Sequence, residues 1–369
     1  MYKFESSDTE VFIILSLSLI LMATTMLQSG YSQGQDTFSV SSVIIGNDKP
    51  ISATIDEKTN KVYGIFATER GAKNLLYVID IAQNKVLDTI EIGTEKNDFL
   101  SNIVLDADRG ILYATGQHLV NENDTTIAYD TVYVINSTNN KFKRIQLYGE
   151  SEEGKEGSLA GISVNPVTNK IYVGSLYPEG GKPGLYQIDG NTLEPLYLEK
   201  WRYGIKDIQL NSESNLLYVG AKYDNLVSII DESNNQIVEN ITVQSPIALT
   251  LNAKERILYE AGSDGKVNAI DLTSKKDMSS IQGKNVKNIL YNTKDELLYI
   301  VDQNTTNILS KNSNGTKNMV IGINTSNNTI NKFETNFIIE NILINSSTDQ
   351  IYLLGYDGEN SKLFIVNSH

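Results

Sequence analysis

Ala160 to Ser175 reads AGISVNPVTNKIYVGS. Ile162 and Val164 alternate with Gly161 and Ser163, which is the period of a strand. Asn165 and Pro166 open a turn: an Asn side chain can bond backbone two residues on, and proline presets its own φ. Ile171, Tyr172 and Val173 are β-formers and supply a second strand. The stretch is a β-hairpin.

The hairpin recurs along the chain. An Asx residue precedes a tyrosine by seven positions in seven copies: Asp56/Tyr63, Asp106/Tyr113, Asn165/Tyr172, Asn211/Tyr218, Asn252/Tyr259, Asn292/Tyr299 and Asn345/Tyr352. The residue before each tyrosine is aliphatic: Val62, Leu112, Ile171, Leu217, Leu258, Leu298 and Ile351. One and three residues before each Asx the position is always apolar. Two and four before it, only Val104, Ala248, Leu290 and Leu343 of the fourteen residues are apolar. A period of two held in register across seven copies is not a chance placement of tyrosines.

Two further strands complete each copy. In the first, Ser52–Asp56 and Val62–Phe66 are followed by Leu76–Asp80 and Val86–Ile92. The third strand recurs as VYVIN (132–136), LYQID (185–189), VSIID (227–231) and VNAID (267–271), and more weakly as VIGIN (320–324) and LFIVN (363–367). The fourth strands of copies five and six, Met278–Ile281 and Thr329–Phe333, look degraded. Four-stranded units of about 40–50 residues with no helical period between them fit the blades of a propeller. The last copy ends after its third strand, and Phe38–Ile45 is a strand with no hairpin partner nearby. Pairing the two completes a seventh blade and removes two free sheet edges. The expected fold is an all-β, seven-bladed propeller of antiparallel four-stranded blades spanning 38–369, closed by an N-terminal strand in the last blade.

These segments resemble the YVTN-type β-propeller repeat family, found in surface-layer and other exported proteins of archaea and bacteria. The residues that carry the likeness are NPVTNKIYVG (165–174), NSESNLLYVG (211–220) and third strands such as Val78–Asp80. The likeness runs from about residue 38 to 369, and departs from the family pattern at Phe66–Gly71 and Glu260. It implies a shared scaffold, not a shared chemistry.

Composition narrows the function. Charged residues are 21% and hydrophobic residues 40% of the 369, the balance of a globular chain. The net charge is −14, and because residues 1–32 carry Lys3 against Glu5, Asp8 and Glu10, the remainder keeps −12. An acidic surface repels phosphate backbones and anionic membranes, so nucleic acid is not an expected partner. The absence of cysteine excludes disulfides, thiolate nucleophiles and Cys-ligated zinc.

Val11 to Leu27 is a run of 17 uncharged, mostly apolar residues. It is short for a membrane span, and Gly30 and Ser32 offer a cleavage site before Gln33. Its flank, Lys3 against three acids, is a poor one for a signal peptide. Residues 1–37 are therefore expected to be a signal peptide, or an uncleaved anchor, plus a short linker. Either reading puts the rest outside the cytoplasm, secreted or held at the cell surface.

Catalytic constellations are sparse. His118, in an expected loop of the second copy, and His369 are the two histidines, so no His cluster or Ser–His–Asp order is available. Asp106 and Asp108 look like part of a calcium loop but lack its closing Glu, and Asp106 belongs to the repeat turn. Gly149–Gly157 (GESEEGKEG) reads as a solvated acidic loop. No catalytic residue, metal site or cofactor is expected.

Binding is the better-supported class. The single tryptophan lies in Lys200-Trp201-Arg202-Tyr203-Gly204, between a fourth strand and the next first strand. Trp, Arg and Tyr dominate binding hot spots. Arg70, Tyr177 and Tyr223 lie in second-to-third-strand loops, at the same end of the blades. Two readings stand for Trp201: a ligand site over the central channel, or packing between blades. Eight N-x-S/T sequons occur, of which Asn123, Asn304 and Asn314 sit in expected loops and are the better glycan acceptors. The reading is an exported, monomeric, non-enzymatic binding or scaffold module whose partner is an extracellular protein or glycan. The alternative is a propeller hydrolase or lyase with a carboxylate-held metal at the channel mouth.

Overall fold

The computed structural model describes residues 38–68, 74–92, 97–122, 125–152, 159–176, 184–199, 204–303, 318–327, 329–335 and 337–368. Among them there are strands and turns but no helix. Strand β1 (Phe38–Gly46) precedes the first blade. Blade one is β2 (Lys49–Asp56), β3 (Lys61–Ala67), β4 (Asn74–Asp80) and β5 (Lys85–Glu91). Blade two is β6 (Asp98–Asp106), β7 (Ile111–Glu122), β8 (Thr125–Asn136) and β9 (Phe142–Glu152). Blade three is β10 (Leu159–Asn165), β11 (Lys170–Ser175), β12 (Leu185–Asp189) and β13 (Pro195–Glu199). Blade four is β14 (Ile205–Asn211), β15 (Leu216–Ala221), β16 (Leu226–Asp231) and β17 (Gln236–Thr242). Blade five is β18 (Pro246–Asn252), β19 (Ile257–Gly262), β20 (Lys266–Asp271) and β21 (Lys276–Gln282). Blade six is β22 (Val286–Asn292), β23 (Leu297–Asp302), β24 (Asn318–Asn324) and β25 (Ile330–Thr335). Blade seven is β26 (Ile338–Asn345), β27 (Gln350–Tyr356) and β28 (Ser361–Ser368), with β1 as its outermost strand. The fold is a seven-bladed β-propeller.

Closure follows the sequence expectation. Strand β1 runs antiparallel to β28, with Ser39 opposite Asn367 and Val43 opposite Leu363. Val43 and Ile45 are buried against blades seven and one together. Strand order β1-β28-β27-β26 thus covers the edge that β28 would otherwise expose.

The core is seven slabs between neighbouring blades, and the period of two decides which slab each residue enters. Tyr113 packs with Ile162, Ile171 and Val173 of blade three, whereas Leu112 packs with Tyr63 and Ile65 of blade one. At the closing interface Tyr352 of blade seven meets Ala53 and Val62 of blade one. All seven repeat tyrosines are buried, none more than 4% exposed. Phe66, where the repeat pattern departs, is buried too and stacks on Tyr77 with ring centroids 4.5 Å apart.

The Asx turns form as read. The backbone N–H of Val167 donates to Asn165 Oδ1 at 2.9 Å, that of Glu213 to Asn211 at 3.1 Å and that of Ser347 to Asn345 at 3.1 Å. Asp106 accepts from the N–H groups of Asp108 and Arg109 and from Arg109 Nη1, so it serves the turn. Four residues after each Asx the backbone turns left-handed: Asn60, Gly110, Asn169, Asn215, Arg256, Glu296 and Asp349 all have positive φ. A turn ended by such a residue is a common hairpin connection, and glycine or asparagine suits it best.

Four expectations are corrected. Blade two is longer than read: β7 ends at Glu122 and β8 starts at Thr125. Part of the acidic Gly149–Gly157 segment is strand, since β9 continues to Glu152. His118 lies inside β7, half-buried and bonded to Asp98, not in a solvated loop. The fourth strands of blades five and six, which look degraded in sequence, are regular as β21 and β25, because backbone pairing with β20 and β24 does not need apolar side chains on an exposed outer strand.

Candidate functional site at the channel mouth

The seven first strands β2, β6, β10, β14, β18, β22 and β26 touch in sequence round a closed ring, with β26 returning to β2. They therefore line the central channel. Each enters from the end where fourth-to-first and second-to-third connections lie, and runs toward the Asx turns at the other end.

Every one of these strands carries a β-bulge near its start. In β14 the pairing jumps from Ile205↔Ala221 to Asp207↔Gly220, leaving Lys206 as an extra residue. Ile205 and Ile208 both pack against blade three. Asp207 reaches the other way, where its Oδ2 accepts the Leu249 N–H of blade five at 2.7 Å. Both blade faces are thus taken, and Lys206 is left with the free edge of the strand, which is the channel. A bulge re-aims one side chain in this manner and is favoured at rims and sites.

The same jump occurs in all seven strands, and the extra residues are Ile51, Ser101, Ala160, Lys206, Ile247, Lys287 and Glu340. They form a ring at the mouth end of the channel. Asn102, one residue beyond the blade-two bulge, donates from Nδ2 to the Ala160 carbonyl of blade three and ties two neighbouring bulges together.

Three ring members are charged. Burial holds the Lys206 ammonium below its ordinary range, Asp207 opposes this, and Lys222 and Lys287 add to it. Lys206 belongs to blade four and Lys287 to blade six, so the two share one field inside the channel. Burial holds the Glu340 carboxyl above its ordinary value against the pull of Lys49 and Lys287, and Lys49 Nζ stands 3.8 Å from Glu340 Oε1. The Asp207 carboxyl is likewise raised by burial, against bonds from the N–H groups of Leu249 and Ile208.

Of the residues singled out in the sequence, Tyr223 lies in the turn between β15 and β16, at the mouth end. It is 41% exposed, with Lys222 Nζ 5.2 Å from its ring centroid. Trp201, Arg202, Tyr203, Arg70 and Tyr177 lie outside the described residues, as do the sequon residues Asn123, Asn304 and Asn314 and the whole of 1–37. Strands β13, β14, β11, β12, β3 and β4, which flank the first five, all end or begin at the mouth.

The ring of bulges is absent from a reading based on period two alone. Its signal is present nonetheless: the extra residue always stands five before the repeat Asx, and the apolar positions flanking it are three apart, as in Ile205/Ile208 and Val286/Ile289.

A second polar cluster sits on blade two. Asp98 is buried and accepts from Arg144 Nε at 2.9 Å, Arg144 Nη2 at 2.6 Å and the Tyr133 hydroxyl at 2.7 Å, with His118 Nδ1 at 2.9 Å. Burial alone would raise this carboxyl, but Arg144, Tyr133 and His118 hold it below the usual carboxylate range. With its oxygens so occupied, Asp98 fastens β6, β7, β8 and β9 to one another. Among the described residues no three His, Asp or Glu side chains converge as metal ligands. The channel mouth offers two lysines, a carboxylate already met by Lys49, a tyrosine and apolar side chains, which is the chemistry of holding a ligand. No family model and no curated protein matches the chain.

Proposed function

We propose that the chain is an exported, non-enzymatic binding module of the YVTN-repeat type, acting as a monomer at the cell surface or envelope. The observation that carries this is the channel ring: seven bulges set seven residues out of the ladder at one end of the channel, and three of them are charged. Lys222 and Tyr223 stand beside it. In this reading Trp201, Arg202, Tyr203, Arg70 and Tyr177 join Tyr223 around the opening and contact an extracellular protein or glycan. Residues 1–37 act as leader or anchor, and Asn123, Asn304 and Asn314 carry glycans.

The test is retention. The purified protein, passed over immobilised envelope glycans or surface-layer material, should be retained and leave the material chemically unchanged. Failure to bind either material, together with turnover of a lactone panel, would sink the reading.

A further inference from the structure

We propose that the channel mouth binds an oxyanion, a carboxylate or phosphate carried by a small ligand, held between Lys206 and Lys287. The inference deepens the binding role proposed above and rests on it. It starts from placement. The bulges in β14 and β22 leave Lys206 and Lys287 facing the channel, because their apolar neighbours on both sides are committed to the preceding blade. Ile247, the extra residue of β18, lies between them on blade five.

What sets these two lysines apart from the other lysines is their place in the channel ring, and neither is neutralised there. Lys170, Lys275, Lys294 and Lys362 each meet a carboxylate or a carbonyl oxygen. Among the described residues Lys206 and Lys287 meet neither, and the one nearby ring carboxylate, Glu340, already has Lys49. Asp207, next in sequence to Lys206, is turned away into blade five. A second positive charge near the partly buried Lys206 ammonium is unfavourable, and an anion between the two lysines offsets that cost.

The surroundings sharpen the attraction. A chain of net charge −14 repels anions over most of its surface, so a lysine-lined channel with low-dielectric walls stands out as the place where field lines favour them. Across the channel, blades two and three contribute Ser101 and Ala160, small side chains that leave room for the ligand body. The Ser101 hydroxyl is occupied with Thr115 and Leu159, so selectivity rests on the lysines.

Calorimetric titration of the whole protein tests this, with inorganic phosphate, citrate and galacturonate as probes and galactose as the neutral control. At least one oxyanion should bind saturably, more weakly in high salt, and galactose should not. Phosphate binding without citrate or galacturonate assigns the ligand to phosphate esters; the reverse assigns it to carboxylates. Lys206→Met and Lys287→Met should each weaken binding at least tenfold, Lys206→Arg should retain it, and Lys254→Met, on an exposed turn at the far end, should change nothing. Lys287 is exposed, so its variant folds even if Lys206→Met does not. No saturable binding of any oxyanion, or binding indifferent to Lys287→Met, overturns the proposal. Retention on envelope material that persists in Lys206→Met/Lys287→Met removes the oxyanion site while leaving the binding module intact.

Discussion

Glu260 makes stability depend on pH in a direction opposite to that of most carboxylates. It follows the repeat tyrosine of blade five, where other blades carry Gly64, Ala114, Val173, Val219, Ile300 and Leu353. It is fully buried, Asn268 Nδ2 donates to Oε2 at 2.8 Å, and Oε1 has no hydrogen-bond partner. Burial pushes its pKa up to about 7, with Asp264 and Asp277 adding and Asn268 opposing. In the unfolded chain the group titrates near the ordinary glutamate value of 4.5. Between these two values the native state keeps a proton that the unfolded state has lost, so stability falls as pH rises. Above the folded value both states are ionised and the loss is complete. At about 1.4 kcal/mol per pH unit, the native protein should lose about 3 kcal/mol from this group across the interval.

Glu260→Gln removes the ionisation and keeps the shape. Urea unfolding followed by far-UV circular dichroism, at several pH values between about 4.5 and 8, measures both proteins. All other carboxylates titrate in both, so they cancel in the difference. Relative to the native protein, the variant should gain about 3 kcal/mol on going from the acid to the alkaline end. Its absolute stability is not the readout, because the new amide has no acceptor where Oε1 lies. A difference that changes by less than about 1 kcal/mol over that range would refute the assignment of a neutral, buried acid.

Four other outcomes follow from the packing. Tyr113→Ala should cost about 3–5 kcal/mol through the cavity it opens between blades two and three, and a cost under about 1 kcal/mol would mean that slab is not close-packed. Arg256→Gly should raise the melting temperature, since a left-handed non-glycine residue costs of order 1–3 kcal/mol and Arg256 has φ 56°; an unchanged melting temperature contradicts the strain. Arg144→Met leaves Asp98 buried beside only Tyr133 and His118 and should cost about 3–5 kcal/mol at neutral pH. Because the Asp98 carboxyl is held low, its contribution is present above the ordinary carboxylate pKa and lost as pH falls through the folded value, so the two proteins should converge in acid. Removing residues 1–47 takes β1 from β28 and uncovers the core around Tyr352 and Leu363; the shortened chain should melt lower and aggregate, and an equal melting temperature would mean β1 does not close the ring.

The blade count, the register and the closure are legible in the sequence because each rests on a short-range rule repeated seven times. A tyrosine seven after an Asx can face only one neighbour once the strand period is two, and the aliphatic residue before it must face the other. The length of blade two is not legible in that manner. Residues 117–122 and 125–131 mix polar residues with Leu119, Val120, Ile127 and Ala128 and lie outside the repeat pattern, and what holds them is long-range: Asp98 gathers Arg144, Tyr133 and His118 from three strands. His118 read alone is a solvated histidine; its partner stands 20 residues earlier in the chain.

The channel ring shows a different limit. Its residues are Ile, Ser, Ala, Lys, Ile, Lys and Glu, with no shared chemistry, so a search for a recurring side chain passes over them. What recurs is a gap. In five blades the apolar residues six and three before the Asx enter the same inter-blade slab, an impossibility for an unbroken strand of period two, so one residue between them must leave the ladder. Bulging takes that position out of the ladder and lets its side chain vary in chemistry, although Ile51 and Ile247 still lean against inter-blade slabs. The scaffold thereby separates two tasks: the tyrosine and Asx positions hold the ring together, and the bulge positions are open to whatever the channel must meet. In this chain they place two lysines at one mouth of an acidic protein.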